Sequence, residues 1–448
     1  MKKPTAEYET VILGAGLAGL SAALHLERDY IVVEQGAAVG GLAQTDVVDG
    51  FYFDRTGHWL HLRDPGIKAM VDEFIGHRLV NVVRKSKIFS HGVYTHYPFQ
   101  ANTYGLPPKV VEECLLGFIT APARTAPARG LKRLRDPKNF EEFIFFHFGE
   151  GIARHFMIPY NTKLWGVPPR EITSEWCSRF VPRPTIDEVV RGALGLSREQ
   201  IGYNATYLYP KDAGIDVLPQ ALAVRVSPLR LSTSAVAIDL ARRQVTLSSG
   251  ETLAYRHLIS TLPLPALVAM SRPVTATIRT LAKKLRHTSV MFANFGVRGR
   301  APIDSQWIYY PETRFPFYRA GIPTNAVAAL APPGHYSLYV EVSHRGELVA
   351  DKVLPALRAA VVDAGLVCDA RDIVVERMCN IPCAYVIFDD NYFRGVRTIL
   401  PWLARQGVLS TGRYGKWTYC SMEDAMMMGR EAAADVRRGA RGRRARKK

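Results

Sequence analysis

The sequence predicts a mixed α/β fold built from a parallel βαβ opening, a helical insert and an antiparallel sheet, and three observations predict it. The first is a short β-branched apolar run, Tyr8 to Leu13, that passes through a glycine turn, Gly14 to Gly19, into a helical stretch, Leu20 to Leu26, and returns as a second run, Tyr30 to Val33. The second is a helical pattern from about Pro107 to Gly195, in stretches such as Pro108 to Ile119, Phe140 to Phe148 and Gly151 to Met157, interrupted by proline clusters. The third is a change of character after Tyr209. Leu229 to Ala237, Gln244 to Leu247, His257 to Thr261, Val290 to Val297, Trp307 to Tyr310, Tyr336 to Val342 and Ile373 to Met378 read as strands. A last helix, Met422 to Arg437, carries alanines suited to close packing.

Length and composition bound the rest. A chain of 448 residues exceeds one ordinary core, so two or three interlocking domains are expected. With 48% apolar and 22% charged residues the composition is globular, which excludes a disordered chain. No run of eighteen apolar residues suggests a spanning helix, and Met1 to Thr5 lead straight toward a strand without a signal-peptide pattern. The expectation is therefore a cytoplasmic protein, with its six scattered cysteines reduced. Cys379 and Cys383 have no second pair or nearby histidine to complete a zinc site, so no metal is expected.

The net charge of +17 is unevenly placed. Arg437 to Lys448 holds eight basic residues and no acid, and Arg124 to Lys138 holds six against Asp136. The plain reading of the tail is a solvated, frayed end; the sharper one is a peripheral contact with anionic lipid or another polyanion. A basic surface also suits an anionic substrate. Neither a basic-aromatic stripe nor a zinc knuckle points to nucleic acid.

Gly14-Ala15-Gly16-Leu17-Ala18-Gly19 is a G-x-G-x-x-G turn between strand and helix. Gly14 permits the tight turn, Gly16 admits a pyrophosphate to the helix N-terminus, and Gly19 allows close helix–strand packing. Alone the motif is weak. Here Glu34 follows Gly14 by twenty residues, where an acid accepts hydrogen bonds from an adenosine ribose. This predicts a Rossmann-like dinucleotide domain, discontinuous along the chain: residues 1–90, 205–265 and 395–448. A helical substrate domain, 91–204, and a sheet substrate domain, 266–394, lie between, and 437–448 form the basic tail.

Two further segments choose the dinucleotide. Gly40-Gly41-Leu42-Ala43 follows Glu34, and Phe53-Asp54-Arg55-Thr56-Gly57-His58 comes next. Together with the glycine turn they resemble the FAD-containing amine-oxidase superfamily, in which the second segment runs under the isoalloxazine ring. The resemblance implies FAD, held by Gly14, Gly16, Gly19, Glu34, Gly41, Leu42, Gly57, His58, Val236, Gly412, Arg413, Ser421 and Met422. His58 is implied to line one face of the flavin on a mobile loop, as part of the catalytic surroundings and not as a general base.

Later segments resemble the UDP-galactopyranose mutase family, especially its eukaryotic type and the bacterial mutase-like proteins of surface-polysaccharide pathways. Tyr97-Pro98-Phe99-Gln100 is similar to the family's uridine-binding Y-P-F-Q, and Pro159 to Trp165 to its P-Y-N-x-K-x-W. Tyr97, Phe99, Gln100, Asn161 and Trp165 are thereby implied to touch substrate. Arg179, and Arg298 in Gly296-Val297-Arg298-Gly299, match family arginines that hold the diphosphate, work for which a planar guanidinium is suited. A lone arginine is more often a surface charge. Trp307 to Glu312 and Pro316 to Ala320 also resemble the family and are read as scaffold. Gly412 to Tyr419 resembles G-R-F-G-x-W-x-Y, placing Arg413 by the flavin and Tyr419 on the phosphates; Tyr385 is a looser match to a second phosphate-binding tyrosine.

The chain departs from the family where an asparagine–glutamine pair is replaced by Glu423 and Asp424, which leaves open whether the reaction is unchanged. The plain reading is a helix N-terminus, with Ser421 as cap and acids in the first turn. The resemblance implies a mutase that interconverts pyranose and furanose forms of a UDP-linked sugar. Reduced flavin N5 acts as nucleophile, with NAD(P)H as a candidate reductant. The alternative is an FAD-dependent oxidoreductase of the protoporphyrinogen oxidase, amine oxidase or desaturase kind, taking hydride onto the flavin. A flavin-binding scaffold recruited by its basic tail is the third reading.

Overall fold

The computed structural model describes residues 6–26, 29–125, 136–177, 181–196 and 205–445, with the side chains of 122–125 and 439–445 excluded. Arg179 and most of the basic tail's side chains lie outside this set.

Two sheets organise the molecule. In the first, the strand Ala6–Leu13 lies in parallel between Tyr30–Val33 and Thr252–Ser260, with Val11 opposite both Ile31 and Leu258. Tyr30–Val33 is buried throughout and its companions are buried over Thr10–Leu13 and His257–Ser260, as expected of a parallel sheet covered on both faces. Gln244–Leu247, Ala235–Asp239 and Ser271–Arg272 extend one side; Leu229–Arg230 extends the other, and Val408–Ser410 also pairs with Thr252–Ser260. Three distant stretches of chain thus meet in one sheet. The terminal helix, Met422–Ala445, packs on Leu17–Leu26. Ser21 Oγ donates to the Met426 carbonyl at 2.7 Å, and a Cβ on Gly429 would stand 2.1 Å from the Ala18 carbonyl oxygen.

The second sheet has seven strands in the order Ile373–Val386, His287–Arg298, His335–His344, Arg319–Gly321, Trp307–Tyr309, Ser86–Ser90 and Val93–His96. A division at residue 90 therefore cuts a hairpin whose two strands both belong here. The helix Ile158–Trp165 packs on His335–His344 of this sheet and is joined by a π-helical stretch, Ala153–Met157, to Phe140–Ile152, which packs on Pro108–Thr125.

Two sequence expectations need correction. The run Leu229 to Ala237 is two strands, because the chain turns at Ser232, whose φ is +48°. The hairpin Thr45–Val48 and Phe51–Asp54 was not expected, although its Asp49-Gly50 turn, with φ of +48° and +79°, carries the dipeptide that favours such turns. Among the described residues no helix is long and apolar enough to cross a membrane.

Candidate functional site

The first sheet ends at a pocket of about 1470 Å³, lined by the glycine turn, the segment 55–59, the end of the second sheet and the start of the terminal helix. This exceeds the roughly 300–1,000 Å³ typical of a single small-ligand site, so a dinucleotide and a second ligand both fit.

The nucleotide end is made of backbone. Gly14 has φ +100°, and a Cβ there would stand 2.2 Å from Thr261 Oγ1. A Cβ on Gly19 would be 1.9 Å from the Gly14 carbonyl oxygen, so only glycine lets this helix seat on its strand. Gly16 and Gly41 face each other across the pocket wall without side chains. Glu34 is fixed at the end of its strand: the Ala15 amide donates to Oε2 and the Gly36 amide to Oε1, each at 2.7 Å. These residues fit the adenosine and pyrophosphate of FAD: a side-chain-free cradle at a helix N-terminus, with a positioned carboxylate twenty residues on.

Gly57 and His58 line the middle of the pocket, and Gly412, Arg413, Ser421 and Met422 line it from the chain's far end. Burial, reinforced by the charges of Arg413, Arg319 and Arg55, lowers the His58 pKa to about 4, so the imidazole is neutral at pH 7. Its Nδ1 is enclosed without a hydrogen-bond partner among the described residues. Asp54 anchors this segment from behind. It accepts from Thr45 Oγ1 at 2.6 Å, Tyr209 Oη at 2.7 Å and the Ile215 amide at 3.1 Å, and burial raises its pKa to about 6.

The opposite wall is aromatic and cationic. Arg319 is clamped on Glu341: Nη2 donates to Oε1 at 2.8 Å and to Oε2 at 2.7 Å, and Nε to Oε2 at 3.1 Å. Glu341 is fully enclosed and also accepts from Tyr318 Oη. Arg319 Nη1 has no protein partner among these bonds, and the guanidinium lies 4.9 Å from the Trp307 ring centre. Arg413 donates to the carbonyls of Cys420 at 2.9 Å and Ala384 at 2.8 Å, so its fork is spent on backbone while its plane lies 4.9 Å from the Tyr419 ring. Tyr419 stacks on Tyr385 with centroids 6.2 Å apart. Arg84 lies 4.7 Å over Tyr97, which stacks on Tyr309 at 5.2 Å; burial pushes the Tyr97 phenol up to about 12.

Several expected contacts fall elsewhere. Arg298 ends the strand His287–Arg298 at its outer end, 63% exposed and 3.9 Å from Asp372. Val290 of that strand lines the pocket, and eight residues of extended chain separate the two by roughly 26 Å. Phe99 is enclosed and stacks on Phe156 at 4.9 Å. Gln100 donates to the carbonyl of Pro182 at 3.0 Å, which itself lines the pocket, so the amide acts one layer behind. Asn161 donates to the Met157 carbonyl one helical turn back, at 2.7 Å. Trp165 packs behind Tyr385 and against Trp176, at centroid distances of 5.8 and 5.0 Å. Val236 sits where the strand register shifts between Ala235 and Ala237 and is 52% exposed, while Thr233, Ser234 and Ala235 line the pocket. Gly19 acts through packing. Gly14, Gly16, Glu34, Gly41, Leu42, Gly57, His58, Tyr97, Tyr385, Gly412, Arg413, Tyr419, Ser421 and Met422 do line the pocket.

Ser421 and Asp424 form a capping box: Asp424 N–H donates to Ser421 Oγ at 3.1 Å and Ser421 N–H to Asp424 Oδ2 at 2.9 Å. Arg84, Trp307, Arg319 and Glu341 were missed as site residues. The signal for Arg319 was present in Pro316 to Ala320, which reads as scaffold because nothing local shows that a three-residue strand, Arg319–Gly321, opens on the pocket.

The flavin containing amine oxidoreductase family matches residues 17–437. Among solved structures, a reduced UDP-galactopyranose mutase is 28% identical, with 96% of this chain and 95% of that chain covered and a TM-score of 0.89. A candidate protoporphyrinogen oxidase from Exiguobacterium sp. is 16% identical over 97% of this chain and 99% of that chain, at a TM-score of 0.73. A putrescine oxidase bound to putrescine is 16% identical over 97% of this chain and 99% of that chain, at 0.65. These last two share the fold. A match spanning most of the chain, on a pocket shaped for a flavin dinucleotide, settles the lineage: the chain belongs to the flavin-containing amine oxidoreductase family.

Proposed function

We propose that this chain is an FAD-dependent nucleotide-sugar mutase that interconverts the pyranose and furanose forms of a UDP-linked sugar. The observation that carries the reading is Arg319, held rigidly by Glu341 with Nη1 left open, in an aromatic wall facing the nucleotide cradle. A fixed guanidinium edge of this kind suits a diphosphate and is poorly matched to an apolar amine or porphyrin. The similarity to a reduced UDP-galactopyranose mutase along nearly the whole of both chains supports the same reading.

Bound FAD, held by the cradle, Gly57, His58 and the Gly412–Met422 region, supplies in its reduced form a nucleophilic N5 atom. The chain's own residues do the rest. Arg319 holds the departing diphosphate close to the anomeric carbon, so that return is effectively unimolecular. Tyr385 and Tyr419 offer O–H donors to phosphate oxygens, and burial, which raises the Tyr419 pKa, keeps that phenol protonated. Tyr97, which lines the pocket with Arg84 over its ring, offers the base an aromatic contact. His58, neutral, shapes the pocket's centre without carrying a proton at pH 7. Arg179 remains a proposed second diphosphate ligand; the role given to Arg298 passes to Arg319.

FAD-loaded protein reduced with dithionite should interconvert UDP-galactopyranose and UDP-galactofuranose with no net redox change, read by chromatography. Failure to turn over any nucleotide sugar, together with anaerobic bleaching of oxidised flavin by an amine or porphyrinogen donor, would establish the oxidoreductase reading instead.

A further inference from the structure

We propose that Glu423 is a specificity-determining residue of this pocket: one carboxylate oxygen accepts a hydroxyl of the bound sugar and keeps phosphate away from that wall. The inference rests on the nucleotide-sugar reading above and adds to it.

Glu423 stands in the first turn of the terminal helix, lines the pocket and is only 6% exposed. Its two oxygens have different surroundings. Oε1 accepts the backbone N–H groups of Arg63 and of Asp64, the latter at 2.7 Å. Oε2 has no hydrogen-bond partner among the described residues, yet it is not among the enclosed polar atoms left unpartnered. The oxygen is therefore accessible, on a residue that lines the pocket together with His61 and Arg63.

The oxygen is also held in place. Asp64 caps the helix Pro65–Ile75 by accepting the Ile67 amide at 2.8 Å, and it pairs with both terminal nitrogens of Arg430 at 2.8 Å. Glu423 and Arg430 of one helix thus grip the 63–64 turn from two sides, and the two amides on Oε1 fix the direction of Oε2. An asparagine or glutamine here, as in the mutases this sequence resembles, could donate to a phosphate. A carboxylate only accepts, so it favours a hydroxyl and penalises an anion.

The test is calorimetric titration of UDP and of UDP-galactose into FAD-loaded wild type and Glu423→Gln. The amide oxygen of the variant can still take both main-chain donors, and flavin absorbance with a thermal melt verifies folding. The expected result is that UDP binds the variant as well as or better than wild type, while the Kd ratio of UDP to UDP-galactose falls roughly tenfold, the scale of a lost hydrogen bond to a charged group. An unchanged ratio overturns the assignment. An unchanged ratio with weakened FAD retention overturns it in favour of a cofactor contact. If wild type binds neither nucleotide, the nucleotide-sugar reading itself falls, and this one with it.

Discussion

The two ends of the pocket are built by opposite means. The nucleotide end is main chain: glycines at 14, 16, 19 and 41 remove side chains so that backbone and one carboxylate can meet a ligand. The far end is side chain: Arg84, Trp307, Arg319, Glu341, Tyr385 and Tyr419 come from different strands and loops and hold one another in place. The first end has no room for an added atom at Gly14 or Gly19. The second tolerates no unmatched charge. Sterics govern one and electrostatics the other, and each predicts a different kind of failure.

The largest effect should come from the charged end. Arg319→Ala leaves Glu341 enclosed without its cation, and breaking such a pair costs about 3–5 kcal/mol. Denaturant unfolding should show that loss, and UDP binding should fall with it. Adding Glu341→Gln should restore most of the stability but not the binding, which separates the fold's need for the pair from the ligand's need for the arginine.

Asp54, which anchors the segment between the two ends from behind through Thr45, Tyr209 and Ile215, gives a pH-dependent comparison. Its folded pKa is raised from 3.8 to about 6, so the folded state prefers the protonated acid, and that preference is lost as pH rises through this window. Asp54→Asn keeps acceptors for Thr45 and Ile215. Its stability relative to wild type should grow from about pH 4 to about pH 7 by on the order of 2–3 kcal/mol and then level off. Urea unfolding at several pH values reads this directly; a pH-independent difference would show that Asp54 is not buried as an acid.

At the steric end, Gly19→Ala places a methyl 1.9 Å from the Gly14 carbonyl oxygen. The helix must shift, at about 1–3 kcal/mol for overpacking, and the purified protein should lose most of its yellow colour. A fully flavinated Gly19→Ala would remove the close-packing argument. The smallest effect is expected at Arg298→Ala. Its exposed pairing with Asp372 is worth within about 1 kcal/mol, and turnover should not change. A large loss of kcat would return Arg298 to the site.

The contrast also explains what the sequence could disclose. The glycine turn, the strands on either side of it and Glu34 were legible because they are local: a few consecutive residues and one fixed spacing determine a βαβ turn and its ligand chemistry. Likewise Ser421 and Asp424 announce a helix start three residues apart. The arginine wall was not legible. Arg298 and Arg319 each stand at the end of a strand, and nothing near either in the chain says which one meets the pocket. That depends on the strand His287–Arg298 running its length away from the pocket while Arg319–Gly321 pairs into the same sheet with its arginine turned inward. The amino-acid sequence alone determined the nucleotide cradle, which short-range sterics fix, and carried the motifs by which it resembles its family. Only the tertiary structure decided which charges share the pocket and that Glu423 lines it, because register and long-range pairing place those groups and no local pattern encodes them.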